Sequence, residues 1–361
     1  MKSIFITGMF RSGTTLLARM LDVHPDVSAV YQVITPFFRM WRNIFLGEYD
    51  CERLLQLPMG SNVLFDLGLY EKFIQEAWRV RFDEKHILQL KEDLSCELYR
   101  DAHEKPLLKK GLFATLTPGG TVEDVLIQLI RCVYPDIDAQ KYVGFKEIWC
   151  EEFIPVLLKL SEVKFNAIQI IRDPRGVFAS RNTGNYLKEC GGKRYPLLFI
   201  AETWNRSADI LFRCKDLDGF FPVRYEDIVS FPKETIQKIC AFLDIDFYDD
   251  MANPENFTDS KGKQWRPNTT GDDTRPRFLN SQTNYWKTAL NDEEIGSIEF
   301  LCGESMDTLG YQRKFTREQA HQLFLRYQEE TDEIHPWLVP LGYVCTAARK
   351  EKELAKLERI S

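Results

Sequence analysis

Along this chain, short runs of β-branched and aromatic residues alternate with longer amphipathic stretches, and that alternation leaves few architectures open. Strands are expected over residues 3–7, 27–31, 142–145, 166–171 and 220–224. Ile168, Ile170 and Ile171 make the fourth run apolar on both faces, as in a central parallel strand covered by helices. Helices are expected over 13–23, 84–100, 121–133, 151–161, 174–183, 197–215, 232–243 and 292–309. Thr121 followed by Asp124 reads as a capping box, and Asp173 before Pro174 supplies an N-cap with proline in the first helical position. The expected fold is α/β, a P-loop-type three-layer arrangement with a central parallel β-sheet flanked by helices.

Residues 32–141 separate the second strand from the third, too long a connection to be a plain loop. They are expected to form a helical insert, about 36–140, that covers or shapes a binding site. Phe37, Phe38, Trp41 and Phe45 in it could line a pocket, but at helical spacing such residues are more often core. Residues 253–284, rich in Asn, Thr, Asp, Pro, Lys and Arg, read as a flap, and 316–361 as two helices joined near Pro336 and Pro340. The resulting division is a single domain over 1–315 with a C-terminal helical extension over 316–361.

The strand IFIT, the loop GMFRSGTT and the helical pattern LLARML form a strand–loop–helix unit whose physics favours a phosphate. Glycines let backbone N–H groups converge, the helix N-terminus adds positive potential, and Ser12, Thr14 and Thr15 add hydroxyl donors. Gly8 and Gly13 have the spacing of a Walker A loop, yet Thr14 stands where that motif needs lysine. The cation lies upstream instead, at Arg11, whose guanidinium can fork onto two oxygens of a phosphate or sulfate. A second junction of this kind occurs in IQIIRDPRGVFASR. Arg172 ends a strand, and Ser180 lies about two turns into the next helix, so the two can embrace one phosphate from two sides.

A net charge of −7 argues against nucleic acid or an anionic membrane as partner, so an anionic ligand needs a local basic pocket. No stretch approaches the roughly 20 apolar residues that span a bilayer, and the opening MKSIFITGMF reads as a strand rather than a secretory leader. Nine cysteines without a CxxC pair suggest neither a disulfide framework nor a zinc site. The expected setting is a reducing cytoplasm, with no metal and a small-molecule acceptor in preference to a protein. The oligomeric state stays open, a homodimer among the options.

FRSGTTLLARMLDVHPDV resembles the 5'-phosphosulfate loop of the PAPS-dependent sulfotransferases, and is most similar to the tyrosylprotein and bacterial branches, which use Arg where the cytosolic branch has Lys. The resemblance implies that the donor is 3'-phosphoadenosine 5'-phosphosulfate (PAPS), with Arg11, Ser12, Gly13, Thr14 and Thr15 around its 5' end. It also implies that Arg172 and Ser180 hold the 3'-phosphate. GFKEIW is similar to the strand bearing the family's lysine, which makes Lys146, with Arg11, a candidate to neutralise charge in the transition state. FPVRYEDIVSFPKETIQKICAFLDI is similar to a later strand and helix, with Tyr225 near the nucleotide. FLNSQTNYWKTAL is similar to the loop over the 3'-phosphate, which makes Ser281 and Lys287 weaker candidates.

The implied reaction is in-line displacement at sulfur by a hydroxyl or amine, with adenosine 3',5'-bisphosphate leaving. The general base is where the sequence departs from its relatives. Counting from Arg11, the glutamate of the tyrosylprotein branch becomes Gln32, whose amide cannot take a proton at neutral pH. The base is expected from the insert or from Glu147, although strand alternation points Glu147 away from Lys146. Two rival readings stay open: a P-loop nucleotide kinase, and a noncatalytic nucleotide-binding or scaffold member of the same family.

Overall fold

The computed structural model describes residues 2–48, 59–99, 111–134, 141–180, 195–259, 262–265, 278, 283–329 and 347–358. Five strands, β1 (Lys2–Gly8), β2 (Val27–Tyr31), β3 (Tyr142–Ile148), β4 (Lys164–Ile171) and β5 (Phe220–Arg224), form one sheet in the order β2-β3-β1-β4-β5. Every neighbouring pair is parallel. Parallel pairing requires crossovers, and helices supply them. The main helices are α1 (Thr14–Asp22), α2 (Thr35–Glu48), α3 (Glu84–Tyr99), α4 (Val122–Val133), α5 (Pro174–Ser180), α6 (Leu197–Cys214), α7 (Tyr225–Ser230), α8 (Pro232–Leu243), α9 (Asp292–Thr308), α10 (Arg317–Arg326) and α11 (Ala347–Glu358). The α/β architecture with a central parallel sheet is the one the sequence patterning called for.

The chain divides into two compact units. One comprises Met1–Ile171, Ile210–Arg266 and Pro276–Phe278, and holds the whole sheet. In β1, Ile4 and Ile6 join Leu17 and Leu21 of α1 and Ile236 and Ile239 of α8 in one core cluster. Phe5, between them, meets Phe38 of α2 at a ring separation of 5.3 Å. Successive residues of a strand serve opposite faces, and that period places a helical layer on each side of β1.

The described residues between β2 and β3 hold α2, α3 and α4, with short turns Val63–Asp66 and Tyr70–Glu76 between α2 and α3. Phe37, Phe38, Trp41 and Phe45 are core rather than pocket lining: all are buried, in a ring cluster with Phe73, Phe82 and Phe153. The helix expected over 151–161 differs. It breaks into a 3-10 turn, Glu151–Phe153, and a single α-turn, Ile154–Leu157, because Pro155 suits the first turn of a helix and has no N–H to continue one from 151. Thr121 and Asp124 form the expected capping box at α4. In the stretch read as a flap, Pro254–Asn256 is a 3-10 turn and Thr258 bridges Gln264; residues 266–277 and 279–282 lie outside the described set.

The other unit comprises Arg172–Asp209, Pro267–Arg275 and Leu279–Ser361. Here α9 and α10 lie close together because position 296 is glycine: a Cβ there would sit 2.4 Å from Leu323 Cδ1. Phe300 stacks on Phe324 at 5.2 Å along the same seam. In α11, Arg349 pairs with Glu202 of α6.

Candidate functional site

Three residues other than glycine hold left-handed backbones just beyond three adjacent strands: Arg11 (φ 63°) after β1, Gln32 (φ 50°) after β2 and Trp149 (φ 60°) after β3. Such conformations cost on the order of 1–3 kcal/mol each and gather where function requires them. They stand at the carboxyl ends of parallel strands, the edge at which open α/β sheets bind ligands.

The loop after β1 is built on close approaches. A Cβ at Gly8 (φ 157°) would lie 2.4 Å from the Ile170 carbonyl oxygen and 2.9 Å from Ser12 Oγ, so only glycine fits. Ser12 Oγ donates to the Met9 carbonyl at 2.5 Å and closes the turn from within. Gly13 (φ 102°) precedes α1 and, having no side chain, makes no cap to the first-turn N–H groups of the helix. The Tyr225 ring lies directly over Gly13, where a Cβ would come within 2.5 Å of Cδ2. Trp149 braces the other side: its N–H donates to the Gly8 carbonyl at 3.1 Å, and its ring meets Phe10 at 5.4 Å. Nothing in the sequence reading singled out Trp149. Glycines that admit no Cβ, together with a helix N-terminus, suit an anionic group such as a phosphosulfate.

β3 carries the second cation. Lys146 is buried and its Nζ donates to Gln32 Oε1 at 3.0 Å, while the Gln32 N–H donates to the Lys146 carbonyl at 2.7 Å. Sequence reasoning considered Gln32 only as an absent base. Its partnership with Lys146 depends on β2 lying beside β3, which no local pattern reveals. Glu147 has a different occupation from the one expected of a base. It is fully buried, and its carboxylate accepts from the Ile34 N–H at 2.9 Å and from the Thr35 hydroxyl at the start of α2.

In the helical unit, Arg172 and Ser180 meet as their spacing suggested, Nη1 donating to Oγ at 3.3 Å, with both side chains buried. Gly176 leaves Arg172 its place: a Cβ there would stand 3.1 Å from Nε. Asp173 accepts from the Arg175 N–H at 2.9 Å, the expected N-cap, and also binds the Arg175 guanidinium at 2.9 and 2.7 Å. That guanidinium further donates to Glu299 at 2.6 Å and lies 3.9 Å above the Trp286 ring. Burial works against its charge, but the two carboxylates outweigh burial and hold Arg175 above the ordinary arginine value. Lys287 is exposed, and Ser281 lies outside the described residues.

The sequence profile described as "Sulfotransferase family" matches residues 3–55 and 164–250, which include the loop, Arg172, Ser180 and Tyr225. Carbohydrate sulfotransferase 4 of Mus musculus is 20% identical over 89% of this chain and 85% of its own length. Carbohydrate sulfotransferase 6 of Homo sapiens is 22% identical over 89% and 84%. Among solved structures, the sulfotransferase domain from the Synechococcus PCC 7002 olefin synthase covers 86% of this chain and 95% of its own at 16% identity, with a TM-score of 0.49. The profile match and these relatives, aligned over most of their length, together support a member of the sulfotransferase family.

Proposed function

We propose that this enzyme moves the sulfuryl group of PAPS onto a hydroxyl of a carbohydrate. Sulfuryl transfer from PAPS is the family's reaction. The carbohydrate acceptor is supported by relatives whose names specify carbohydrate sulfotransferases. The observation that carries the reading is the loop after β1, where glycines at 8 and 13 and the cation Arg11 replace a lysine-bearing Walker loop. PAPS supplies the activated sulfur. The acceptor oxygen forms a new S–O bond, the bond from sulfur to the bridging phosphate oxygen breaks, and the hydroxyl proton passes to solvent.

The resemblance to the sulfotransferases supports the following roles. Arg11, Ser12, Gly13, Thr14 and Thr15 hold the 5'-phosphosulfate, with Tyr225 packed over Gly13. Arg172 and Ser180 hold the 3'-phosphate, and Ser281 remains a candidate beside them. Arg11 and Lys146 stabilise charge on the departing and equatorial oxygens. Glu147 fixes the start of α2, and we give it no proton to carry. Free Cys132, Cys240 and Cys302 fit a reducing cytoplasm as the setting.

Calorimetry with adenosine 3',5'-bisphosphate and with Mg-ATP tests the donor: the bisphosphate should bind, and preference for Mg-ATP would sink the reading. Labelled PAPS with a panel of sugars, phenols, sterols and peptides tests the acceptor, and label on any class but sugars would refute the carbohydrate assignment.

A further inference from the structure

Gln32 is an unusual choice for the place it occupies. A left-handed residue immediately after a strand is ordinarily glycine or asparagine, which adopt that backbone with little strain. A glutamine there gains nothing as a turn residue. Its backbone N–H and its side-chain oxygen both bind one residue, Lys146, through the carbonyl and the ammonium respectively. The strained backbone and the side-chain bond together clamp one cation at the carboxyl edge of the sheet.

The chemistry of the amide decides what the clamp does. A carboxylate in this position would fix the ammonium and cancel much of its charge, whereas an amide oxygen fixes it and leaves the charge whole. We propose that Gln32 is a positioning residue: it holds the Lys146 ammonium in place for sulfuryl transfer without itself opposing the charge, and takes no proton from the acceptor. This rests on the sulfotransferase reading above. Other described ionisable groups toward this edge include Arg11 in the loop, Glu147 of β3, whose carboxylate binds the start of α2, Glu151 and Glu152 after Trp149, with Glu152 standing 3.9 Å from Arg42, and the Arg224–Glu226 pair after β5.

The test is the steady-state release of adenosine 3',5'-bisphosphate from PAPS, with transfer to water or to a sugar, in the wild type, Gln32→Glu and Gln32→Met. At pH 7 the introduced carboxylate is ionised and neutralises Lys146, so Gln32→Glu should turn over about tenfold or more slowly than the wild type, with no gain as pH rises from 5.5 to 8. Gln32→Met, which keeps the length and removes the acceptor oxygen, should lower kcat with little change in KM for PAPS. Melting temperature and bisphosphate affinity should stay near wild type in both, which a merely structural role would not allow. A Gln32→Glu enzyme faster than wild type, with a rate rising through an acidic limb, would show that position 32 serves proton transfer and overturn the proposal; so would a Gln32→Met enzyme with wild-type kcat. If the wild type neither binds the bisphosphate nor releases it from PAPS, it is the sulfotransferase reading that fails.

Discussion

Arg172 illustrates how much a single side chain is asked to do. Its bond to Ser180 and its place over Gly176 present a forked cation at the end of β4. Arg172→Ala should weaken adenosine 3',5'-bisphosphate by about 1.5 to 3 kcal/mol, the range for hydrogen bonds to charged groups. Calorimetry should show 5'-AMP, which lacks the 3'-phosphate, binding the variant and the wild type alike; an equal loss for both nucleotides would place Arg172 elsewhere on the ligand. Gly13 is constrained in a different way, by backbone and space together. Gly13→Ala forces a Cβ to within 2.5 Å of Tyr225 at a φ of 102°, so urea unfolding should report a loss of about 1 to 3 kcal/mol. At this scale the sequence was partly legible. Arg11, Arg172 and Ser180 follow from strand-to-helix junctions. The partners of Lys146 and Arg175 do not, because Gln32 and Glu299 lie 114 and 124 residues away along the chain.

Elements were far easier to read, because the periods that define them are local. All five strands and the bounds of α8 were foreseen, and the capping box of α4 could be read from Thr121 and Asp124 alone. That box yields a pH prediction. Backbone and side-chain hydrogen bonds from Thr121 hold the Asp124 carboxyl below its ordinary value of 3.8. A depressed carboxylate contributes stability that is present above 3.8 and is lost as pH falls through its lower folded value. Thr121→Ala should therefore cost about 0.5 to 2 kcal/mol at pH 7, with the gap to wild type narrowing in acid, as measured by denaturant melts across pH. Where the reading of elements failed, at 151–161, Pro155 was the local sign of the break, and helical patterning outweighed it.

Across the whole molecule, a ligand that binds only the folded chain stabilises it by mass action. Adenosine 3',5'-bisphosphate at 100 times its Kd should add about 2.7 kcal/mol, which for 361 residues raises Tm by roughly 3 to 4 °C in a calorimetric scan. A shift of the same size with 5'-AMP at equal concentration would mean that the 3'-phosphate is not recognised. The strand order has a consequence of another kind, in the making of the protein. β1 carries the phosphate loop and occupies the middle of the sheet, yet neither it nor β2 has a strand partner until β3 has been synthesised, roughly 140 residues after the loop begins. At about 5 to 20 residues per second, the apolar run from Ile4 to Ile6 waits on the order of 7 to 28 s beside the ribosome before its first neighbour arrives. During that interval the segment we propose to bind the donor is open to chaperones and to pairing with other nascent chains.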